Sequence, residues 1–98
     1  MPSGPSAPII TTILPTFRRP RLLRRAIRSA LNQTYPHLEV RVYDNASGDE
    51  TPEVVAELAR QDARVKYHCH PTNIGAARNF LYGMERVDTP FFFFFPGR

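Results

Sequence analysis

The sequence holds a single cysteine, Cys69, so an intrachain disulfide is excluded and a reducing compartment fits. Tryptophan is absent, and Lys66 is the only lysine. No apolar run approaches the roughly 20 residues that a bilayer-spanning helix needs; Phe91–Phe95 is far too short. The opening stretch MPSGPSAP has neither a basic n-region nor an apolar h-region. It reads as a disordered leader over residues 1–7 rather than a signal peptide, and a cytoplasmic location is expected. Neither G-x-G-x-x-G nor G-x-x-x-x-G-K-[ST] follows the first apolar segment, which argues against a dinucleotide enzyme or a P-loop NTPase. Internal repeats and an interdomain linker are missing as well.

What is present suits one small domain or part of a larger one: 98 residues, 42% of them hydrophobic. The net charge of +4 is unevenly distributed. Arg18, Arg19, Arg21, Arg24, Arg25 and Arg28 fill one short window, whereas Asp44, Asp49, Glu50, Glu53, Glu57 and Asp62 follow together. Such asymmetry is compatible with a nucleic acid, an anionic membrane or a phosphorylated ligand, and by itself selects none of them.

Hydrophobic patterning alternates between two periods. PIITTIL (Pro8–Leu14) is β-branched, apolar and bounded by prolines, so a first strand is expected there. Leu23, Ile27, Ala30 and Leu31 then recur at helical spacing, opposite a stripe of Arg21, Arg24, Arg25 and Arg28. LEVRVYDN reads as a second strand ending in the polar cluster DNASGDET. A second helix follows, with Thr51 as its N-cap and Pro52 at its first position. RVKYHC reads as a third strand. The third helix is AARNFLYGMERV, with Asn73 as its expected N-cap and Ala77, Phe80, Leu81 and Met84 facing inward. Phe91–Phe95 completes a β-α-β-α-β-α-β order as a fourth strand. That alternation requires parallel pairing, with right-handed crossovers placing helices on both faces of the sheet. Five successive phenylalanines leave no polar face, which predicts a central strand covered on both sides.

Parallel sheets of this kind bind ligands beyond the carboxyl ends of their central strands. The loops expected there offer an aromatic ring (Phe17), a carboxylate and an amide (Asp44, Asn45), and small residues for close backbone approach (Ala46, Ser47, Gly48). Arg78 joins them from the first turn of the third helix. A heterocycle needs a ring to stack on and edge-directed donors and acceptors, and a diphosphate needs cations. These residue types point to a nucleotide.

The segment IITTILPTFRRPRLLRRAIRSALNQTYPHLEVRVYDNASGDET, followed by HPTNIGAARN, resembles the N-terminal half of a family 2 glycosyltransferase of the GT-A type. The shared pattern is a strand ending in Pro-Thr-aromatic, a helix ending in Gln-Thr-Tyr-Pro, an Asp-rich turn before Ser-x-Asp, and an N-x-G-x-x-x-A/R-N element. The resemblance implies an α/β, Rossmann-like parallel sheet with helices on both faces. It also implies a nucleotide-diphosphate sugar donor of the UDP or dTDP type, bound over residues 8–98. Pro15 and Thr16 would give backbone contacts to the base, Phe17 would stack on it, Asp44 and Asn45 would read its edge, and Arg78 would lie near base and diphosphate. Many members carry two Asp where this sequence has Asp44-Asn45; an amide still accepts from a pyrimidine N3–H and donates to a carbonyl.

In the family, the fourth strand runs into an acidic motif that ligates a divalent metal, Mg or Mn, at the donor diphosphate. Here Pro96-Gly97-Arg98 follows. The expectation is therefore a donor-binding portion, cut or diverged before the metal ligands and the catalytic base. On that expectation the chain alone has no catalytic residue, no metal and no transferase activity, the metal belonging to the full-length parent.

Other readings stand beside this one. The arginine stripe is either a solvated face or a docking surface: for anionic lipid at the inner face of a membrane, or for nucleic acid in a basic interaction module. The edge of the last strand invites pairing with a second copy. Asp44 and Asn45 would also serve as turn caps, and Arg78 as an ion-pair partner of Asp44. His68 and His70 point to one side of a strand and Cys69 to the other, so joint metal binding by the three is not expected.

Overall fold

The computed structural model of the protein describes residues 9–89 and the backbone of 91–94. The leader over residues 1–7, Phe95 and the Pro96-Gly97-Arg98 end lie outside the described residues. Seven elements follow in the expected order: β1 (Ile10–Thr16), α1 (Pro20–Leu31), β2 (Leu38–Asp44), α2 (Thr51–Gln61), β3 (Val65–Cys69), α3 (Ala76–Glu85) and β4 (Phe91–Phe94). The strands form one parallel sheet in the order β3-β2-β1-β4. Two crossovers step one way, from β1 to β2 to β3, and put α1 and α2 on one face. The third steps back to β4 and puts α3 on the other.

Between the sheet and α1/α2 lies the apolar core. Leu14, Val40 and Val42 from the strands meet Leu23, Ile27 and Ala30 of α1 and Val54, Val55 and Leu58 of α2, all of them buried. The stripe positions of α1 are therefore those that pack. The α3 face is built differently. Its buried helix positions are Asn79 and Gly83, and they meet a polar and aromatic surface rather than an aliphatic one. A Cβ on Gly83 would stand 2.8 Å from a Tyr43 ring carbon and 3.1 Å from an Ile13 methyl. The missing side chain is what lets α3 approach the sheet.

Four expectations need correction. β4 pairs only with β1, so among the described residues it is an edge strand and not a central one. The inward face of α3 is displaced: Ala77 and Leu81 are exposed and Phe80 and Met84 half-buried, because the close approach runs through Gly83. Gly75, not Asn73, is the N-cap of α3. Thr51 is the first residue of α2 rather than its cap; its amide and hydroxyl both bond Asp49 Oδ1, at 2.9 and 2.5 Å. That pair of bonds holds the Asp49 carboxyl below its ordinary pKa. β1 also ends two residues later than expected, at Thr16, and so includes Pro15, which sits beyond the last β1–β4 pair among the described residues, Ile13↔Phe94.

Candidate nucleotide-binding site

The carboxyl ends of β1, β2 and β3 finish level with one another. Thr16 is paired with Asp44, and Asp44 with Cys69. Two further backbone bonds extend the sheet past its last formal residues, Asn45 N to Thr16 O and His70 N to Asp44 O, both 2.9 Å. The segments Pro15–Phe17, Asp44–Asn45 and His70–Gly75 are thereby fixed side by side at one rim.

Asp44 is fully enclosed. Its Oδ1 accepts from the Ser47 amide at 3.0 Å and the Ser47 hydroxyl at 2.6 Å; its Oδ2 accepts from the Tyr67 hydroxyl at 2.6 Å. Burial, and then the bond to Asp44, push the Tyr67 phenol well above its ordinary pKa, so it remains a donor. A buried carboxylate is tolerated only with such partners. Asp44 accordingly folds the DNAS turn back onto the strand tip and turns no oxygen toward solvent or toward Arg78.

Ser47 passes the constraint on to the neighbouring loop. Its hydroxyl oxygen accepts from the Arg18 amide at 2.7 Å, and its carbonyl from Arg18 Nε at 3.1 Å. Arg18 and Ala46 both have left-handed backbone, with φ of 53° and 61°. Non-glycine residues adopt that conformation at a cost and keep it where surrounding bonds enforce it. Between these braced residues Phe17 projects outward, 38% exposed, with the Arg18 guanidinium 5.0 Å from its ring centre. Asx and aromatic loop residues often serve folding; here the carboxylate is engaged in the turn, while the ring is left accessible.

Asn45, itself buried, ties in the third segment. Its Nδ2 donates to Asn73 Oδ1 and its Oδ1 accepts from the Ile74 amide, each at 2.9 Å. Asn73 Oδ1 also accepts from the Gly75 amide at 2.8 Å, so Asn73 shapes the approach to α3 from two residues before its cap. One Nδ2 proton and one Oδ1 lone pair of Asn45 remain after these bonds. Arg78 is exposed in the first turn of α3.

The adjacent residue, Asn79, locks that helix. Its Nδ2 donates to the Tyr43 carbonyl at 2.9 Å, which leaves Oδ1 as acceptor for His70 Nε2 at 2.8 Å. The proton of neutral His70 is therefore on Nε2. The rings of His68, His70 and Tyr82 pack together, His68 stacked on Tyr82 at 4.8 Å, with the Arg86 guanidinium 3.4 Å from the centre of the Tyr82 ring. His68 and His70 do share one side of β3, and they are used for packing. Among the described residues no group of three His, Cys, Asp or Glu side chains is placed to hold a metal ion.

Tyr67, Arg18 and Asn79 are the members of this site that the strand-end reasoning passed over, and Ser47 was expected there for close backbone approach rather than as a hydrogen-bond partner. Ser47 lies in the DNAS cluster, but Tyr67, which shares the Asp44 carboxylate with it, comes from another strand. Nothing local in the sequence joins them.

A family model described as glycosyl transferase family 2 matches residues 11–95, nearly the whole chain. The chain belongs to this family. Over 60 residues this glycosyltransferase sequence is 45% identical to GalNAc(5)-diNAcBac-PP-undecaprenol beta-1,3-glucosyltransferase of Campylobacter jejuni, covering 61% of the chain and 19% of that protein. It is 35% identical over 80 residues to an uncharacterized glycosyltransferase of Haemophilus influenzae, covering 82% of the chain and 32% of that protein. Among solved structures it resembles the mannosyltransferase PcManGT of Pyrobaculum calidifontis in complex with GDP-Man and Mn2+. That match has a TM-score of 0.76 and 26% identity, over 86% of this chain and 26% of the other. Residues 1–349 of S. aureus TarS share the fold, with a TM-score of 0.78 over 90% of this chain and 27% of that one. The fold is thus that of GT-A glycosyltransferases, and the chain spans about a fifth to a third of the relatives' lengths.

Proposed function

We propose that residues 8–98 form the donor-binding portion of a family 2 glycosyltransferase and hold the nucleotide of a nucleotide-diphosphate sugar at the rim made by Pro15–Phe17, Asp44–Asn45 and Arg78. The observation that carries the reading is the level finish of β1 and β2, with Thr16 and Asp44 paired and Asn45 bonded across to Thr16. Phe17 then stacks on the base, and Pro15 and Thr16 line it with backbone. Asn45 meets the base edge with its remaining proton and lone pair, and Asp44 acts through the turn it holds. Arg78 and the free nitrogens of Arg18 face the phosphates. A relative solved with GDP-Man supports a sugar nucleotide as the ligand class. The amide at Asn45 favours a pyrimidine, UDP or dTDP.

Glycosyl transfer is proposed for the longer protein. The described residues do not suit a divalent metal, so no step through one is derived from them. Such a metal would be held by other residues of the parent, and by itself this chain binds donor without transferring it.

The test is a thermal-shift comparison of UDP, dTDP, GDP and ATP on the protein and on Asn45→Ala and Arg78→Ala. UDP and dTDP should raise Tm more than ATP, and both substitutions should abolish the difference. Equal shifts for all nucleotides reject base reading, and a larger shift with GDP reassigns the base. A second proposal rests on the outer edge of β4, which no strand among the described residues covers: two copies pair along it. A strictly monomeric protein by light scattering at high concentration rejects that.

A further inference from the structure

Helix α1 has a face that none of the described residues covers. Arg21, Arg25 and Arg28 follow at intervals of four and three residues, which places them within about 60° of one another around the helix. All three are exposed, as is Arg19 immediately before the helix. Arg24, the other member of the stripe, turns aside to Glu57 at 3.3 Å. Among the described residues no carboxylate pairs with Arg19, Arg21, Arg25 or Arg28.

This arrangement works against the helix that carries it. The first turn of α1 has no acidic residue, although that is where the helix dipole favours negative charge. Arg21 and Arg25 are like charges one turn apart, which repel. Burial explains neither choice, since these side chains are in solvent. A face of unopposed cations is complementary to an extended anionic surface.

A lipid surface fits better than a nucleic acid. No aromatic side chain alternates with these arginines to stack on bases. The arginines form a single row along a convex helix, not a groove that could enclose a strand. The Campylobacter relative is named for a substrate carried on PP-undecaprenol, an anionic polyprenyl lipid. The row also begins near the strand-tip rim, since β1 ends at Thr16 and α1 starts at Pro20. We propose that the face formed by Arg19, Arg21, Arg25 and Arg28 docks on an anionic lipid bilayer and holds the mouth of the strand-tip site at headgroup level.

The experiment is co-sedimentation of the protein with phosphatidylcholine vesicles, with and without phosphatidylglycerol. Each engaged arginine should raise partitioning about fivefold, so three give on the order of 100-fold on the anionic vesicles. Added salt should reverse it. Arg21→Glu/Arg25→Glu/Arg28→Glu should remove the preference. The matching triple lysine variant, which keeps the charge, should retain it, and circular dichroism checks that both fold. Equal partitioning onto the two vesicle types, or undiminished binding by the glutamate variant, overturns the proposal. So does loss of binding in a folded lysine variant. Displacement from anionic vesicles by duplex DNA at matched phosphate concentration overturns it in favour of nucleic acid. None of the three substituted arginines lies at the nucleotide site, so UDP-induced stabilisation should be the same in both variants. Failure of membrane docking is therefore separable from failure of the nucleotide reading.

Discussion

Asp44→Asn, alone and combined with Tyr67→Phe, measures how firmly the strand tip is braced. In the native turn one carboxylate oxygen serves Ser47 and the other accepts from Tyr67 at 2.6 Å. Asparagine reproduces the Ser47 side with its carbonyl, but its NH2 then meets the Tyr67 hydroxyl and the phenolic proton loses its acceptor. A hydrogen bond to a buried charged group contributes about 1.5–3 kcal/mol, so the substitution should cost about 2 kcal/mol. Tyr67→Phe removes the same bond from the other end and leaves Oδ2 unsatisfied, at a similar cost. The double variant loses that bond only once, although the buried amide NH2 at position 44 is then left without an acceptor. It should fall only slightly below either single variant, a coupling of about 1.5 kcal/mol. For a domain of this size each single substitution should lower Tm by about 10 °C. Urea denaturation of the four proteins gives the cycle, with an unchanged m-value as the check that unfolding remains two-state. Effects that add to within about 0.5 kcal/mol would mean that Tyr67 does not brace Asp44, and the account of the turn would fail.

Acid should weaken the α3 face first. Burial, then the neighbouring His70 and Arg86 charges, lower the His68 pKa in the folded protein. The unfolded chain therefore binds a proton more readily than the folded one, and stability declines as pH falls below about 6.5. Tm measured across pH should be flat above neutrality and drop beneath it, and His68→Gln should reduce the drop; an unaltered profile rejects the assignment. Gly83→Ala should lower Tm despite alanine's better helix propensity. The new methyl meets Tyr43, whose ring packs against Tyr82, and fully buried Ile13, and overpacking costs about 1–3 kcal/mol. A higher Tm would show that α3 can retreat from the sheet. Leu81→Ser should change stability by less than about 0.5 kcal/mol, as expected of an exposed side chain. A loss of about 2 kcal/mol or more would restore Leu81 to the core face that its spacing suggests.

How far the sequence could be read depended on what kind of force sets each feature. The α1/α2 half was legible because it is made by apolar burial, and apolar burial leaves a periodic trace: Leu23, Ile27, Val54 and Leu58 all lie where their spacing predicts. The convergence of Thr16 and Asp44 followed from the parallel topology alone. The orientation of α3 was not legible. Its packing face is chosen by an amide that bridges two partners and by a glycine that removes an obstacle, and neither registers as hydrophobic. The bracing of Asp44 was hidden in a related way. An acidic residue at a strand tip suggests a ligand contact, but its distant partner Tyr67 consumes an oxygen from within the fold. The place of β4 reads in two ways, as a central strand and as one with an unpaired edge, and among the described residues it pairs only with β1. An all-phenylalanine run reports burial on both faces of the sheet but says nothing of how many strands flank it.

The two faces of the sheet therefore hold their helices by different means, with a consequence for the site. Apolar packing, as under α1 and α2, resists removal but tolerates small slides, because dispersion is not directional. The contacts under α3 are directional: Asn79 bonds Tyr43 and His70, while Asn45 and Asn73 fix the turn that leads into the helix. Arg78 precedes Asn79 directly, so its Cα is positioned relative to Asn45 by hydrogen bonds of defined length rather than by fitted surfaces. A cation that must meet a charged group at one place gains from such fixing, since the ordering is complete before the ligand arrives. The polar character of the α3 face is the stabilising arrangement that also fixes the backbone of Arg78 relative to Asn45.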